Sequence, residues 1–366
     1  MNHLFRTSVI VFSLLTGAGA FAQNTQKLST SKNNEYGLTY SLPYTTLDIT
    51  IEVKHTVSTP GEFFNYAKRY LDVDGVIVDP AHEVAVQSVT IGPRGVAQPN
   101  DLWLVKFKNG SNVSMTLTES GTPLSINSDN VTLPQATVLP SPREAQPTAL
   151  EVPEAKQAVT QEMSATSSLS KKAQLAAQRI FELRENRNEL LSGSAENMPP
   201  DGKALELILN NISAQEAALM AMFTGTVTEY TTVRTFSFTP TRGKADPVVI
   251  ARLSPVDGLV EADDLSGDPI TASLIEISEG KLPVNDKGEP KTFPKGGVAY
   301  NVPGSATIEI SINDNIIASK AVDIAQFGVI FGLDPSLFSD KKNPSFVEFS
   351  PVTGAIVRLG NVSDER

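Results

Sequence analysis

The chain contains no cysteine. Without cysteine it forms no disulfide bond, presents no thiol nucleophile and builds no thiolate metal site. It also lacks the residue that would carry a lipid at the end of an export signal. The sequence therefore excludes thiol chemistry and argues against a lipoprotein.

Histidine is scarce as well, with three residues in 366. Beyond the N-terminal segment only His55 and His82 remain, and the pattern predicts an inward strand position for His55 and a loop for His82. A Ser-His-Asp relay or a histidine zinc site would have to use one of these two. Neither belongs to an H-E-x-x-H motif, and the chain has no G-x-S-x-G motif. A structural or solvated role is favoured for both.

Only the N-terminus carries a long uncharged apolar run. It covers residues 7–21 behind Arg6, and Ala20 and Ala22 are the small residues that a signal peptidase requires. The run of about 15 residues is shorter than the roughly 20 that a membrane-spanning helix needs. We therefore expect residues 1–22 to be a cleaved export signal. The mature protein would start near Gln23, reside in the periplasm or outside the cell, and have no direct membrane insertion.

Positive charge is outweighed by negative charge, with a net charge of −11 and a pI of about 4.9. An acidic surface repels phosphate backbones, so nucleic acid is not an expected partner. The contents of 40% hydrophobic and 19% charged residues are ordinary for a globular protein. The length of 366 residues exceeds that of one compact core and predicts two or more domains.

Alternating apolar and polar residues predict strands at both ends of the chain. Leu47, Ile49, Ile51 and Val53 alternate in this way, as do Trp103, Val105 and Phe107, which would face one core. Between these strands Thr59 and Glu62 form a capping box that predicts a short helix from Pro60. Further strands are expected over residues 226–239, 248–253, 307–312, 346–349 and 355–359, with a turn at residues 313–315.

The middle of the chain has two different patterns. Five prolines between residues 128 and 165 predict an extended linker. After it, apolar residues at helical spacing predict two helices, the first stopped by Gly193 and the second ended by Gly225. Their apolar positions are Ala173, Ala176, Ile180, Leu183 and Leu190 in the first helix, and Leu205, Ile208, Ile212, Leu219 and Phe223 in the second. A short connection through residues 199–202 predicts an antiparallel hairpin.

One faint internal similarity joins residues 253–260 to residues 349–356. Both contain Ser-Pro-Val, followed by one residue and glycine, which is typical of a turn between two strands. Two copies of a turn motif leave duplication of a larger unit open.

The densest acidic segment lies in the loop after the first of these turns. Calcium prefers several oxygen ligands on a flexible loop, which makes a calcium site here a chemically reasonable hypothesis. The spacing does not match an EF-hand, so a solvated acidic turn is the favoured interpretation. The candidate ligands are Asp257, Glu261, Asp263, Asp264 and Asp268.

Other catalytic patterns are weaker. A carboxylate pair could serve a glycosidase, but 41 acidic residues allow no choice of pair. Lys295 with Gly296 and Gly297 lacks the spacing of a phosphate-binding loop. The basic residues of the first long helix are interpreted as its solvated face, with Arg179, Arg184 and Arg187 paired to Glu182, Glu185 and Glu189.

Several short motifs together resemble a known family. They are Tyr40-Ser41-Leu42-Pro43, Pro60-Gly61-Glu62-Phe63, Ile180-Phe181, Leu191-Ser192-Gly193, Pro199-Pro200-Asp201-Gly202, Gln215-Glu216, Phe223-Thr224-Gly225, Tyr300-Asn301-Val302-Pro303-Gly304 and Gln326-Phe327-Gly328. As a set they resemble the exported family of Bacteroidetes filed as domain of unknown function 4831, over nearly the whole mature chain. The resemblance implies location and architecture and supplies no catalytic residue.

We expect an α+β protein with two β-rich, sandwich-like domains and a long antiparallel helical hairpin between them. The segments are a signal peptide (1–22), an N-terminal β-rich domain with one short helix (23–127), a Pro-rich extended linker (128–165), the helical hairpin (166–225) and a C-terminal β-rich domain (226–366). Strands from the two ends are expected to share sheets.

The leading functional hypothesis is an exported, non-catalytic protein of the cell envelope that acts through contacts with an envelope protein, without a cofactor. The alternatives are a glycan- or small-ligand-binding β-sandwich module and a hydrolase with an unrecognised carboxylate pair. An exposed apolar surface on the two long helices would favour the first hypothesis.

Overall fold

The computed structural model describes residues 23–27, 37–107, 113–129, 131, 138–199, 202–244, 246–340 and 342–365. The expected export signal (1–22) lies outside the described residues, as does the proline-rich turn at positions 200 and 201. No helix in the described ranges combines the length and apolarity that crossing a membrane requires. The protein is β-rich, with several sheets and one helical region.

Thirteen strands in the described part of the chain form three antiparallel sheets. They are β1 (Gln23–Lys27), β2 (Leu38–Thr59), β3 (Ala81–Lys106), β4 (Met115–Leu117), β5 (Pro123–Ile126), β6 (Thr226–Phe238), β7 (Val248–Ser254), β8 (Gly258–Val260), β9 (Asp268–Ser278), β10 (Val298–Ile312), β11 (Asn315–Leu333), β12 (Ser345–Phe349) and β13 (Ile356–Asn361). The sheet orders are β1-β3-β2-β6, β11-β10-β9-β7-β8 and β13-β12-β5-β4.

Sheets in this protein combine strands from both ends of the sequence. β2 pairs with β6 from Leu47–Phe238 to Thr59–Thr226, and β5 pairs with β12 at Ile126–Val347. The expectation that the two ends share sheets is therefore confirmed. The predicted strands 47–53 and 307–312 lie within the longer strands β2 and β10.

Two hydrophobic cores lie between the sheets, and the long hairpins β2–β3 and β10–β11 contribute to both. Leu47 and Ile51 of β2 and Ile308 of β10 are fully buried in the first core. Tyr40 of β2 lies in the second core, where its hydroxyl donates to the carbonyl of Ala299 (3.0 Å) and burial raises its pKa. Because the same strands build both cores, loss of either core would disturb the other.

Both long hairpins change register where they pass from one core to the other, and we call this level the waist. Residues 98–101 of β3 stand opposite the single Leu42 of β2. In the same way, residues 325–328 of β11 stand opposite the single Pro303 of β10. Pro43 and Pro303 donate no backbone hydrogen bond, which accounts for a break in each ladder at this level.

Six α-helices are present in the described residues: α1 (Ala67–Leu71), α2 (Pro153–Ala158), α3 (Gln161–Ala165), α4 (Leu169–Ser192), α5 (Gly202–Thr224) and α6 (Ser336–Ser339). Single 3-10 turns cover Phe64–Tyr66 and Val362–Glu365. Helices α1 to α5 share a third core. α2 and α3 fall within the stretch 128–165, where proline content had predicted extended chain.

Two local predictions were wrong. The capping box at Thr59 is not formed, because β2 continues through Thr59 and pairs it with Thr226, and the first helical turn starts at Phe64. The backbone N–H of Phe63 donates to the carbonyl of Met222 in α5 instead (2.7 Å). His82 lies in β3 opposite Val57 and not in a loop, because β3 already begins at Ala81.

Candidate interaction surface

The ends of α4 and α5 are fixed by local hydrogen bonds. Ser168 caps α4, its Oγ accepting from the backbone N–H of Lys171 at 3.4 Å. Gly193 ends α4 in the left-handed conformation (φ 73°), and Gly225 follows α5 in the same region (φ 84°). The predicted stops at Gly193 and Gly225 are therefore confirmed.

The half of the α4–α5 pair that contains Ile180, Leu219 and Phe223 is tightly packed, and we call it the base. Ile180 of α4 and Leu219 and Phe223 of α5 are fully buried. The ring of Phe63, which enters from the chain after β2, lies 5.3 Å from the ring of Phe223. Burial of each such side chain contributes about 1.5–3 kcal/mol to stability, so the base anchors the helices to the β-rich part.

Glu216 joins the two helices at the boundary of the base. Its Oε1 accepts from Nε of Arg184 at 2.6 Å, and its Oε2 accepts from Nη1 of Arg187 at 2.5 Å. The Glu216 side chain is 12% exposed, whereas the arginines keep 39% and 32% of their side-chain surface. The prediction that Arg184 and Arg187 pair with Glu185 and Glu189 was wrong, because both turn toward α5; the predicted pair of Arg179 with Glu182 is present (3.2 Å).

The role of Glu216 was not predicted, although its position in the sequence gives an indication of it. Glu216 stands on the apolar stripe of α5, between Ile212 and Leu219. A carboxylate on a buried stripe needs a cationic partner, because an unpaired buried charge is costly. The partner could not be chosen from the sequence, since it lies on another helix.

The other half of the helical pair, the described part of residues 190–212, is poorly covered, and we call it the distal end. Along the apolar stripe of α5, Phe223 and Leu219 are fully buried, Ile212 and Leu205 are half-buried, and Ile208 is 40% exposed. Beside the stripe, Leu207 is 71% exposed. The apolar stripe of α5 is therefore longer than the surface that the rest of the chain offers to cover it.

The distal end carries further apolar side chains in contact with solvent. Leu191, at the end of α4, is 64% exposed, and Met198, in the connection to α5, is 45% exposed. The same segments carry four exposed carboxylates, Glu185, Glu189, Glu196 and Glu206, together with the exposed Lys203. An apolar surface with a charged rim is typical of a protein–protein contact.

The candidate calcium ligands are spread around the turn between β7 and β9. Glu261 pairs with Arg234, and Oδ2 of Asp268 accepts from Nδ2 of Asn313 at 2.9 Å. The backbone N–H of Ser266 donates to Asp264 (2.9 Å) and lowers the pKa of that carboxyl.

The other two candidates, Asp257 and Asp263, are exposed. The guanidinium of Arg252 lies inside the loop and donates to the carbonyls of Ala262 (2.9 Å) and Gly267 (3.1 Å). Within the described ranges, no three Asp, Glu or His side chains are placed to share a metal ion.

The two remaining histidines lie side by side on the first sheet. His55 is 3% exposed, its Nδ1 lies 3.1 Å from Nε2 of His82, and its Nε2 lies 2.9 Å from Oγ1 of Thr232. Its ring stacks on Tyr230 with centroids 4.5 Å apart. Burial, followed by the proximity of His82, lowers the pKa of His55. The predicted inward position of His55 is confirmed.

Together, the three sheets and the helical region define a β-rich protein with an exposed apolar helix end. The chain belongs to the family described as Domain of unknown function (DUF4831), whose model matches residues 36–357. The resemblance predicted from the short motifs is thereby confirmed. No curated protein and no solved structure matches the chain.

Proposed function

We propose that this protein is an exported, non-catalytic component of the cell envelope that acts through protein–protein contacts at the distal end. The observation that carries the proposal is the loss of cover along one stripe of α5, from the fully buried Leu219 to the 40% exposed Ile208. Solvent-exposed apolar side chains gain free energy when a partner covers them, about 1.5–3 kcal/mol for a leucine or isoleucine that becomes fully buried.

In this proposal α4 and α5 form an antiparallel hairpin that projects its distal end from two sandwich-like domains. The order of contacts supports opposite helix directions. Arg184 contacts both Glu216 and, through its Nη2 at 3.7 Å, the sulfur of Met220, whereas Arg187, one turn later in α4, contacts Glu216. α5 then leads directly into β6, so the base is tied to the first sheet.

The rim of the distal end indicates the kind of partner. In the segments that carry the apolar side chains, the exposed carboxylates of Glu185, Glu189, Glu196 and Glu206 outnumber the exposed Lys203. The complementary surface is an apolar groove on an envelope protein with a basic rim, because opposite charges steer association and desolvation favours apolar contacts. Association with such a partner is faster at low salt.

The test is affinity purification of the tagged full chain from its own cell envelope in mild detergent, as wild type and as the double variant Leu191→Ser, Leu207→Ser. The proposal predicts a partner in stoichiometric amount with the wild type. It also predicts that this partner is lost from the double variant, while the melting temperature of the isolated protein stays the same.

Leu265→Ser is the matched control, because Leu265 is 80% exposed and lies in the acidic loop, away from the helices. It should retain the partner. Recovery of the protein alone from wild-type cells, or equal recovery of a partner by the double variant, would contradict the proposal.

A further inference from the structure

A cleft of about 690 Å³ lies at the waist, where the unpaired segments of both long hairpins, residues 98–101 and 325–328, come together. That volume is within the range of small-molecule sites. Residues 98–101 of β3 form one wall, and the chain after β6, residues 239–242, forms another. Interruptions of a ladder frequently re-aim side chains next to binding sites.

The floor of the cleft is rigid. The side-chain amide of Gln326, in the looped-out segment of β11, accepts from the N–H of Thr45 (2.9 Å) and donates to the carbonyls of Thr45 (2.8 Å) and Pro240 (2.9 Å). Ser41 Oγ lies 2.8 Å from both the N–H and the carbonyl of Gln98, accepting from the first and donating to the second. These bonds hold three strands together beneath the opening.

The rim, in contrast, offers polar groups without internal partners. Among the described residues, the side-chain amides of Gln98 and Asn100 make no hydrogen bond, and both line the cleft. Each amide can donate and accept at once. Beside them, the half-buried ring of Tyr44 supplies an apolar surface.

Charged groups at the rim restrict the ligand further. Arg242 is held by Glu279, with Nε to Oε1 at 3.0 Å and Nη2 to Oε2 at 2.7 Å, so its charge is already paired. Asp101 adds a carboxylate to the lining. The net charge of the chain disfavours anionic ligands, and Arg242, the one cation among the described residues that line the cleft, is paired and adds no free charge to attract them.

The geometry points to a binding site for a neutral polyhydroxylated ligand, a mono- or disaccharide, at this cleft. Neighbouring hydroxyls donate and accept together, as the two free amides do, and the apolar face of a sugar ring fits against Tyr44. This site is independent of the distal end, so either can fail without the other.

Saturation-transfer difference NMR on the full mature chain tests the site with three probes, methyl α-glucopyranoside, methyl β-galactopyranoside and N,N′-diacetylchitobiose. Transfer to at least one saccharide is expected. The double variant Gln98→Ala, Asn100→Ala should weaken its affinity on the order of tenfold, because two hydrogen bonds are lost. Asn100→Ala alone, at an exposed position, should give a smaller loss with the fold intact.

Gln146→Ala is the matched control, since Gln146 is an exposed amide in a different cleft. It should leave the transfer unchanged. Absence of transfer to all three saccharides overturns the inference, as does equal transfer in the double variant.

Discussion

The base and the distal end of the helical pair contain the same kinds of apolar side chain but bury them to different extents. On one stripe of α5, Leu219 is fully buried against α4, whereas Ile208, three turns earlier, is 40% exposed. The apolar side chains of the base are buried by other parts of the chain, whereas those of the distal end remain largely exposed. The difference separates residues that hold the fold from residues available to a partner.

Truncating a leucine at each end of α5 gives the largest expected contrast. Leu219→Ala should lower the free energy of unfolding by about 2–5 kcal/mol, because it opens a cavity in the base. Leu207→Ala should change it by less than about 0.5 kcal/mol, because Leu207 is 71% exposed. Chemical denaturation of both variants measures the contrast, and equal losses would mean that the distal end is packed in solution.

Removing the charge of Glu216 should have a smaller effect. Glu216→Gln leaves Arg184 and Arg187 without their carboxylate, and since both arginines are partly exposed we expect a loss of about 1–2 kcal/mol. High salt should reduce the loss. Glu206→Gln, an exposed acid at the distal end, is the control and should have almost no effect on the denaturation midpoint. A similar midpoint for the two variants would show that Glu216 does not secure the base.

The sheets also contain a buried ionisable side chain, His55, and its protonation makes the stability of the fold depend on pH. The pKa of His55 is lower in the folded chain than its ordinary value of 6.5, so the unfolded chain binds more protons below that pH. Stability should therefore be complete above about pH 6.5 and decrease as the pH falls through the folded-state pKa, by at most about 1.4 kcal/mol per pH unit for one proton.

Denaturation midpoints between about pH 5 and about pH 7.5 measure this dependence. His55→Phe should keep the stacking on Tyr230 and flatten the curve. His82, the titratable group that faces His55, remains in that variant. A curve of unchanged slope would assign the pH dependence to other groups.

The smallest effect is expected from calcium. Because Arg252 lies inside the acidic loop and Glu261 pairs with Arg234, calcium at about 2 mM should raise the melting temperature by less than about 1 °C. Thermal unfolding with and without chelator checks this expectation. A shift of several degrees that disappears in Asp264→Asn would restore the calcium hypothesis.

Local patterns in the sequence predicted much of the fold. The alternation from Leu47 to Val53 predicted which face of β2 is buried. The turn predicted at residues 313–315 is present, and Asn313 and Asp314 both have positive φ there. The sequence could not predict the partners of Glu216 and His55 or the waist, because these depend on contacts between residues far apart in the chain.

Several of the short motifs of the family resemblance lie at two junctions of the structure. Gly61 touches the backbone of α5, where an added Cβ would lie 2.3 Å from the carbonyl oxygen of Met222. Ser41 and Gln326 hold the waist, as does the buried Asn301, whose Nδ2 donates to the carbonyls of Pro43 (3.0 Å) and Thr353 (2.7 Å). These motif residues therefore have structural roles that sequence spacing alone did not reveal.

Photo-crosslinking in living cells tests the proposed docking role of the distal end most directly. A benzoylphenylalanine placed at Leu207 should give one discrete adduct with an envelope protein, and the same group at Leu265, which is also strongly exposed, should give none. Absence of an adduct at Leu207, or the same adducts at both positions, would contradict the account.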